Sequence, residues 1–96
     1  MKIIVITDIH SSLSDKKVRA IAQKRSHFFK KVHGLEIKYW TKDKKGTYHG
    51  IFIFKNRKTA QKYLKTSFAK SVAKAYHTTK PVKVSIHETF DTLKRK

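Results

Sequence analysis

Leu35-Glu36-Ile37-Lys38-Tyr39-Trp40-Thr41-Lys42, then Asp43-Lys44-Lys45-Gly46, then Thr47-Tyr48-His49-Gly50-Ile51-Phe52-Ile53-Phe54: this stretch decides the fold. Two runs rich in β-branched and aromatic residues flank a short polar segment that ends in glycine. Such flanks suit a pleated, half-buried surface, and the polar segment tolerates turn geometry, so the stretch predicts a β-hairpin. With Asp43–Gly46 as the loop, Lys42 pairs with Thr47 and opposite residues share a face. One face then carries Leu35, Ile37, Tyr39 and Thr41 with Phe54, Phe52, Gly50 and Tyr48, and the Tyr39 ring lies over Gly50. The other carries Glu36, Lys38, Trp40 and Lys42 with Ile53, Ile51, His49 and Thr47. That second face is too apolar for open water, and Trp40, Ile51 and Ile53 exposed together mark an interaction surface.

Upstream, Lys2–Ile9 reads as a strand. Ile3-Ile4-Val5-Ile6 does not alternate, which predicts a central strand covered on both faces. Ser12 and Asp15 resemble a capping box before a helix over Leu13–Val32. Its stripe is Val18, Ile21, Ala22, Phe28, Phe29 and Val32. Arg25 falls inside that stripe, either as a guanidinium reaching past its apolar stem to water or as a buried charge facing a ligand. Gly34 suits the left-handed position after the helix. Downstream, Asn56 caps a helix from Arg57, with Ala60, Tyr63 and Leu64 inward. A break near Thr66-Ser67 precedes a short helix to about His77, with Phe68, Val72, Ala75 and Tyr76 continuing the stripe. Val82, Val84 and Ile86 alternate with polar residues in a last strand from Pro81 to about Phe90. Asp91–Lys96 reads as a mobile basic tail.

The order β-α-β-β-α-β predicts an α+β, ferredoxin-like subunit: a four-stranded antiparallel sheet, order 4-1-3-2, with both helices on one face. Ninety-six residues make a single domain, residues 1–96. The uncovered sheet face predicts a back-to-back homodimer through Lys38, Trp40, His49, Ile51 and Ile53.

The absence of cysteine excludes disulfides and thiolate chemistry and suits a reducing, cytoplasmic setting. No apolar run approaches the ~20 residues of a membrane span. Twenty-four Lys and Arg face six Asp and Glu, a net charge of +18. Such a field favours anions, and nucleic acid above all, at least nonspecifically. The six histidines are not paired at metal-ligand spacing, so no metal site is expected.

Gly34-Leu35 into Lys38-Tyr39-Trp40, Gly46-x-Tyr48-x-Gly50-Ile51-Phe52-Ile53-Phe54 and Asn56-x-x-x-Ala60-x-x-Tyr63-Leu64 together resemble the small YdhR-like proteins, a family of proposed monooxygenases. These sit in the dimeric α+β barrel superfamily with the antibiotic-biosynthesis monooxygenases. The resemblance implies a homodimer packed sheet to sheet and a pocket between helices and sheet. In that superfamily some members oxidise quinol-like aromatics with O₂ without metal or flavin, and others only bind. Arg57-Lys58 departs from the acidic residues expected after the third strand. On this basis the cofactor expectation is none. The expected pocket residues are Tyr39, Trp40, Phe52, Tyr63, Phe68 and Tyr76. The catalytic candidates are His10, Tyr48 and His77, as a base or as an orienting hydroxyl. Each also has a plainer role, tyrosines as core-edge residues with wet hydroxyls and histidines as surface residues.

The rival reading is an RNA-recognition sheet, which has the same element order. It needs base-stacking aromatics on the open face of the third strand. His49 and Ile51 stand there instead, while Phe52 and Phe54 point to the helices.

Overall fold

The computed structural model describes residues 1–95. The elements are β1 (Ile3–Ile9), α1 (Asp15–Phe29), β2 (Leu35–Lys42), β3 (Tyr48–Phe54), α2 (Arg57–Leu64), α3 (Ser67–Lys70), α4 (Val72–Ala75) and β4 (Lys83–Glu88). One antiparallel sheet has the order β2-β3-β1-β4, as the sequence predicts. β1 is central, but only Ile3, Val5, Thr7 and Ile9 are buried; Ile4 and Ile6 are half-exposed on the far face.

Between helices and sheet, Ile3, Val5, Phe29, Phe52, Phe54, Ala60 and Tyr63 form the main core. The Phe29 ring meets the rings of Phe52, Tyr63, Phe68 and Trp40 at centroid distances of 5.3–5.9 Å. A second cluster, Ile9, Val18 and Tyr76, closes the other end.

The hairpin differs from the expectation in one respect that matters. Lys42 pairs with Tyr48, Trp40 with Gly50 and Lys38 with Phe52, one residue out of the expected register. The loop is the cause. Gly46 takes a left-handed conformation (φ +87°) and donates to the Asp43 carbonyl, while the Asp43 amide donates to the Thr47 carbonyl. The Asp43 carboxylate also accepts from the Lys45 and Thr47 amides. Three residues, rather than four, therefore make the turn, in the type I plus left-handed pattern common in hairpins. A one-residue slip turns the side chains of β2 from Ile37 to Lys42 over. Lys38 and Trp40 face the helices, and Ile37 and Tyr39 stand on the open face. An irregularity between Leu35 and Ile37 then restores the expected pairing of Leu35 with Phe54.

Smaller corrections follow from hydrogen bonding. The α1 cap is Ser14, whose hydroxyl accepts from the Lys17 amide, because Ser12 donates its own hydroxyl to the His77 carbonyl. The helix ends at Phe29 rather than Val32. Asn56 caps α2 as expected, and the chain breaks after Leu64, where the Thr66 hydroxyl caps the next turn. The segment expected as one short helix is two single turns, and β4 is shorter at both ends than expected. Of the expected tail, residues 91–95 are exposed and outside any regular element, and Lys96 lies outside the described residues.

Two glycines separate backbone strain from crowding. A Cβ at Gly46 would meet nothing within 4 Å, whereas at Gly34 (φ +83°) it would lie 2.5 Å from the Thr59 side chain. Gly46→Ala should cost about 1 kcal/mol, the penalty of the left-handed backbone alone. Gly34→Ala should cost more, with urea midpoints as the measure. Equal losses would contradict the close approach of Gly34 to α2.

Candidate functional site

Three voids run in a chain through the layer between helices and sheet. The first, about 80 Å³, lies between α1 and the β2–β3 edge and is walled by Ile9, Val18, Ala22, Trp40, Tyr48 and Tyr76. The last, about 280 Å³, lies under α2–α4 toward β4 and is walled by Thr7, Phe52, Tyr63, Leu64, Val72 and Val84, among others. A narrow waist of about 10 Å³ shares Ile9, Trp40 and Tyr76 with the first and Thr7, Phe52 and Val72 with the last. Arg25 and Lys38 both line the waist.

The Lys38 ammonium sits 3.8, 4.2 and 4.5 Å from the ring centroids of Phe52, Phe29 and Trp40. Gly50 adjoins it: a Cβ there would stand 2.7 Å from Thr7 Oγ1 and 3.3 Å from Lys38 Nζ. Burial disfavours the charged form, and the Arg25 charge adds to this, so the Lys38 pKa falls from 10.5 to about 7. Arg25 crosses the layer from α1. Its guanidinium lies 4.0 Å over the Phe68 ring and donates to the Ser71 hydroxyl and the Phe68 carbonyl, both at 3.2 Å. It is half-buried and ties α1 to α3 rather than reaching past its stem to bulk water.

Two phenols bear on the same layer. Tyr63 is buried, its hydroxyl has no hydrogen-bond partner among the described residues, and burial pushes its pKa up to about 12. Tyr76 is buried and its pKa is raised chiefly by burial, with Arg25 opposing. Both are neutral hydrogen-bond donors at physiological pH. Tyr48 is committed elsewhere, donating to Asp15 Oδ1 at 2.8 Å. Asp15 also accepts from Arg19 Nε at 2.7 Å, and these bonds, Arg19's first, lower its pKa to about 2.

The expected site residues divide. Trp40, Tyr48, Phe52, Tyr63 and Tyr76 line the voids, and Phe68 packs beside Arg25. Tyr39 does not line them: the slipped register puts it on the open face, 51% exposed. His10 and His77 line none of the three voids. They sit where two loops cross, their carbonyls accepting from the Thr79 and Ser12 amides. Lys38, expected at a dimer interface, is inside. The signal that could have found it is Gly46, whose left-handed preference permits the three-residue loop.

The open face carries Ile4, Ile6, Ile37, Tyr39, Ile51 and Ile53, and at one end His49. His49 Nδ1 lies 2.9 Å from Asp8 Oδ1 and its Nε2 2.9 Å from Asp43 Oδ2. The aromatics Phe52 and Phe54 are buried beneath the helices and offer no stacking surface. Among the described residues, no group of three or more His, Asp or Glu side chains is placed to hold a metal ion, and no helix is long and apolar enough to cross a membrane.

The sequence matches no protein-family model and no curated protein. The fold, however, matches solved structures over nearly the whole chain. SnoaB, a cofactor-independent oxygenase from Streptomyces nogalater, superposes with a TM-score of 0.77 at 10% identity, covering 98% of both chains. A protein of unknown function from Nitrosomonas europaea gives 0.79 at 12% identity over 99% of this chain and 95% of its own. A proposed antibiotic biosynthesis monooxygenase from Deinococcus radiodurans gives 0.69 at 15% identity over 100% and 99%. The chain thus has the ferredoxin-like α+β fold of the antibiotic-biosynthesis-monooxygenase-like proteins.

The clamp on His49 gives a pH prediction. Both ring nitrogens face carboxylates, which requires the imidazolium, and the bond to Asp43, then that to Asp8, raises its pKa above 6.5. A raised folded pKa stabilises fully below the unfolded value and loses that stabilisation as pH rises through the folded value. Asp43, lowered from 3.8, withdraws its share on the acid side. The Tm advantage of wild type over His49→Gln should therefore be largest between about pH 4 and 6.5, and should shrink in more alkaline buffer. An advantage that grows with pH would contradict the clamp.

Proposed function

We propose that this chain is a cofactor-free monooxygenase, or a binding relative of one, for a small flat aromatic molecule of the quinol or anthrone kind. The observation that carries the reading is the aromatic-walled hollow with Trp40, Tyr76 and Tyr63 around a basic waist. Flat rings fill such a space by stacking, and its few polar groups fix orientation. The oxidation asks little of the protein beyond these features. A methylene between two aromatic rings loses a proton, and the resulting anion gives electrons to O₂. Both oxygen atoms are used, one becoming the new carbonyl and the other leaving as water with the two hydrogens. A base, a place for the anion and exclusion of bulk water are what the site must supply. The likeness of fold to SnoaB supports the class of reaction, and the pattern from Gly34 to Leu64 supports a YdhR-like relative.

The reading includes a homodimer. Ile4, Ile6, Ile37, Tyr39, Ile51 and Ile53 form a contiguous apolar patch on the open face, of the kind a soluble monomer does not leave to water. A second copy of the same face is a self-complementary cover. The +18 charge adds only a salt-sensitive attraction for nucleic acid.

Oxygen uptake with a panel of quinols and anthrones tests the oxidation, expected above the protein-free rate for at least one; none across the panel would leave binding alone. Light scattering tests the dimer, with Ile51→Lys expected to shift the mass to that of one chain. A monomeric wild type would contradict the dimer.

A further inference from the structure

The waist of the hollow holds two cations and no anion. Six acidic residues serve the whole chain, and five are spent elsewhere: Asp8 and Asp43 on His49, Asp15 on Arg19 and Lys42, Glu36 on Lys2, and Glu88 on Arg57. The sixth, Asp91, lies beyond β4 and is exposed. Lys38 has aromatic faces around it and, among the described residues, no hydrogen-bond acceptor or ion-pair partner. Arg25 donates only to a hydroxyl and a carbonyl. Tyr63, 4% exposed and in the wall of the adjoining void, carries a buried hydroxyl that has no partner among the described residues. Two donors, Lys38 on β2 and Tyr63 on α2, thus bear on the layer with nothing among the described residues to receive them, and Arg25 on α1 lies beside them with no carboxylate partner.

We propose that Lys38 is the base of this site and that its substrate is a weakly acidic aromatic, bound as the anion. This rests on the aromatic-substrate reading above. The neutral amine takes the proton from the phenolic O–H or activated C–H: the O–H or C–H bond breaks, an N–H bond forms, and the electron pair stays on the aromatic. The resulting ammonium then faces the anion it made, with the Arg25 charge behind it. During oxidation by O₂ the proton leaves with the water formed. Burial that keeps Lys38 largely able to shed its proton near neutrality makes the transfer feasible. The rings that disfavour the lone ammonium are the walls against which a flat anion stacks.

The groups that face Lys38 set the pH dependence. They are Arg25 from α1 and Tyr76 after α4, with Lys30 and Glu36 at an outer groove beside Trp40, where Glu36 is held by Lys2; Tyr63 of α2 lies in the adjoining void. β1 and β3 present Thr7, Gly50 and Phe52, which do not titrate. Activity should therefore rise through about pH 7 with one group, the amine.

The test uses 3-nitrophenol, a weaker acid whose phenolate is yellow, titrated into the intact protein in a buffer just above neutrality, where the Lys38 amine is largely free and most of the free phenol is still protonated. The wild type should bind it as the yellow phenolate. Lys38→Met keeps an apolar side chain among the rings and should leave any bound probe colourless. Lys38→Arg cannot act as a base at neutral pH. It should bind added phenolate in alkaline buffer, yet lower oxygen-uptake kcat by roughly 10²–10⁴ on any substrate the wild type oxidises, with loss of the rise through about pH 7. Equal colour in wild type and Lys38→Met overturns the inference, as does failure of the wild type to bind the probe. Yellow probe that depends on Lys38 without any oxygen uptake sinks the oxygenase reading and leaves the base standing. Oxygen uptake indifferent to both substitutions does the reverse.

Discussion

The turn at Asp43–Thr47 is the constraint on which the rest depends. The Asp43 carboxylate and the left-handed Gly46 close the hairpin over three residues. That choice sends Lys38 and Trp40 inward and Tyr39 outward. A four-residue turn would fill the same layer with Ile37 and Tyr39 and leave Arg25 of α1 as the one cation among those described there. The local geometry of one loop thereby decides which side chains of β2 fill the helix–sheet layer.

What the turn places inside is costly. A lysine among three aromatic rings keeps some attraction for their faces but loses water around its charge. The half-buried Arg25 makes the cost greater, since like charges repel across a medium of low polarity. The fold tolerates this because the apolar contacts of Phe29, Phe52 and Phe54 carry the stability around it. Strain of this kind, local and unrelieved within the chain, is what a bound anion would relieve.

Much of the fold was legible in the residues. The order of elements, the sheet order, the Asn56 cap and the break after Leu64 all follow from periodicity and capping chemistry. The inward face of β3 was legible as well, because buried Phe52 and Phe54 alternate with half-exposed Ile51 and Ile53, whereas that of β1 was not, because Ile3-Ile4-Val5-Ile6 shows no alternation. β2 was not, because both of its faces mix apolar and polar residues, Ile37 and Tyr39 against Lys38 and Trp40. An edge strand with that pattern reads equally well either way up, and only the turn separates the two. The walls Phe52, Tyr63 and Tyr76 were expected as inward aromatics, while Trp40 was expected both at the pocket and on the open face and lies on the helix side. Lys38 was missed because a lysine on a mixed strand belongs by default to the solvent side. Arg25 was found as an anomaly in an apolar stripe, and its partners on α3 and Ser71 depend on a helix break whose angle no sequence pattern gives.

The position of Lys38 is the central claim, and its own titration tests it most directly. In isotope-labelled protein, the side-chain resonances of Lys38, assigned by their loss in Lys38→Arg, would be followed against pH by nuclear magnetic resonance. The account predicts ring-shifted signals that titrate near 7, far from the ordinary 10.5. Signals without ring shifts that titrate with the surface lysines would place Lys38 on the open face and contradict it.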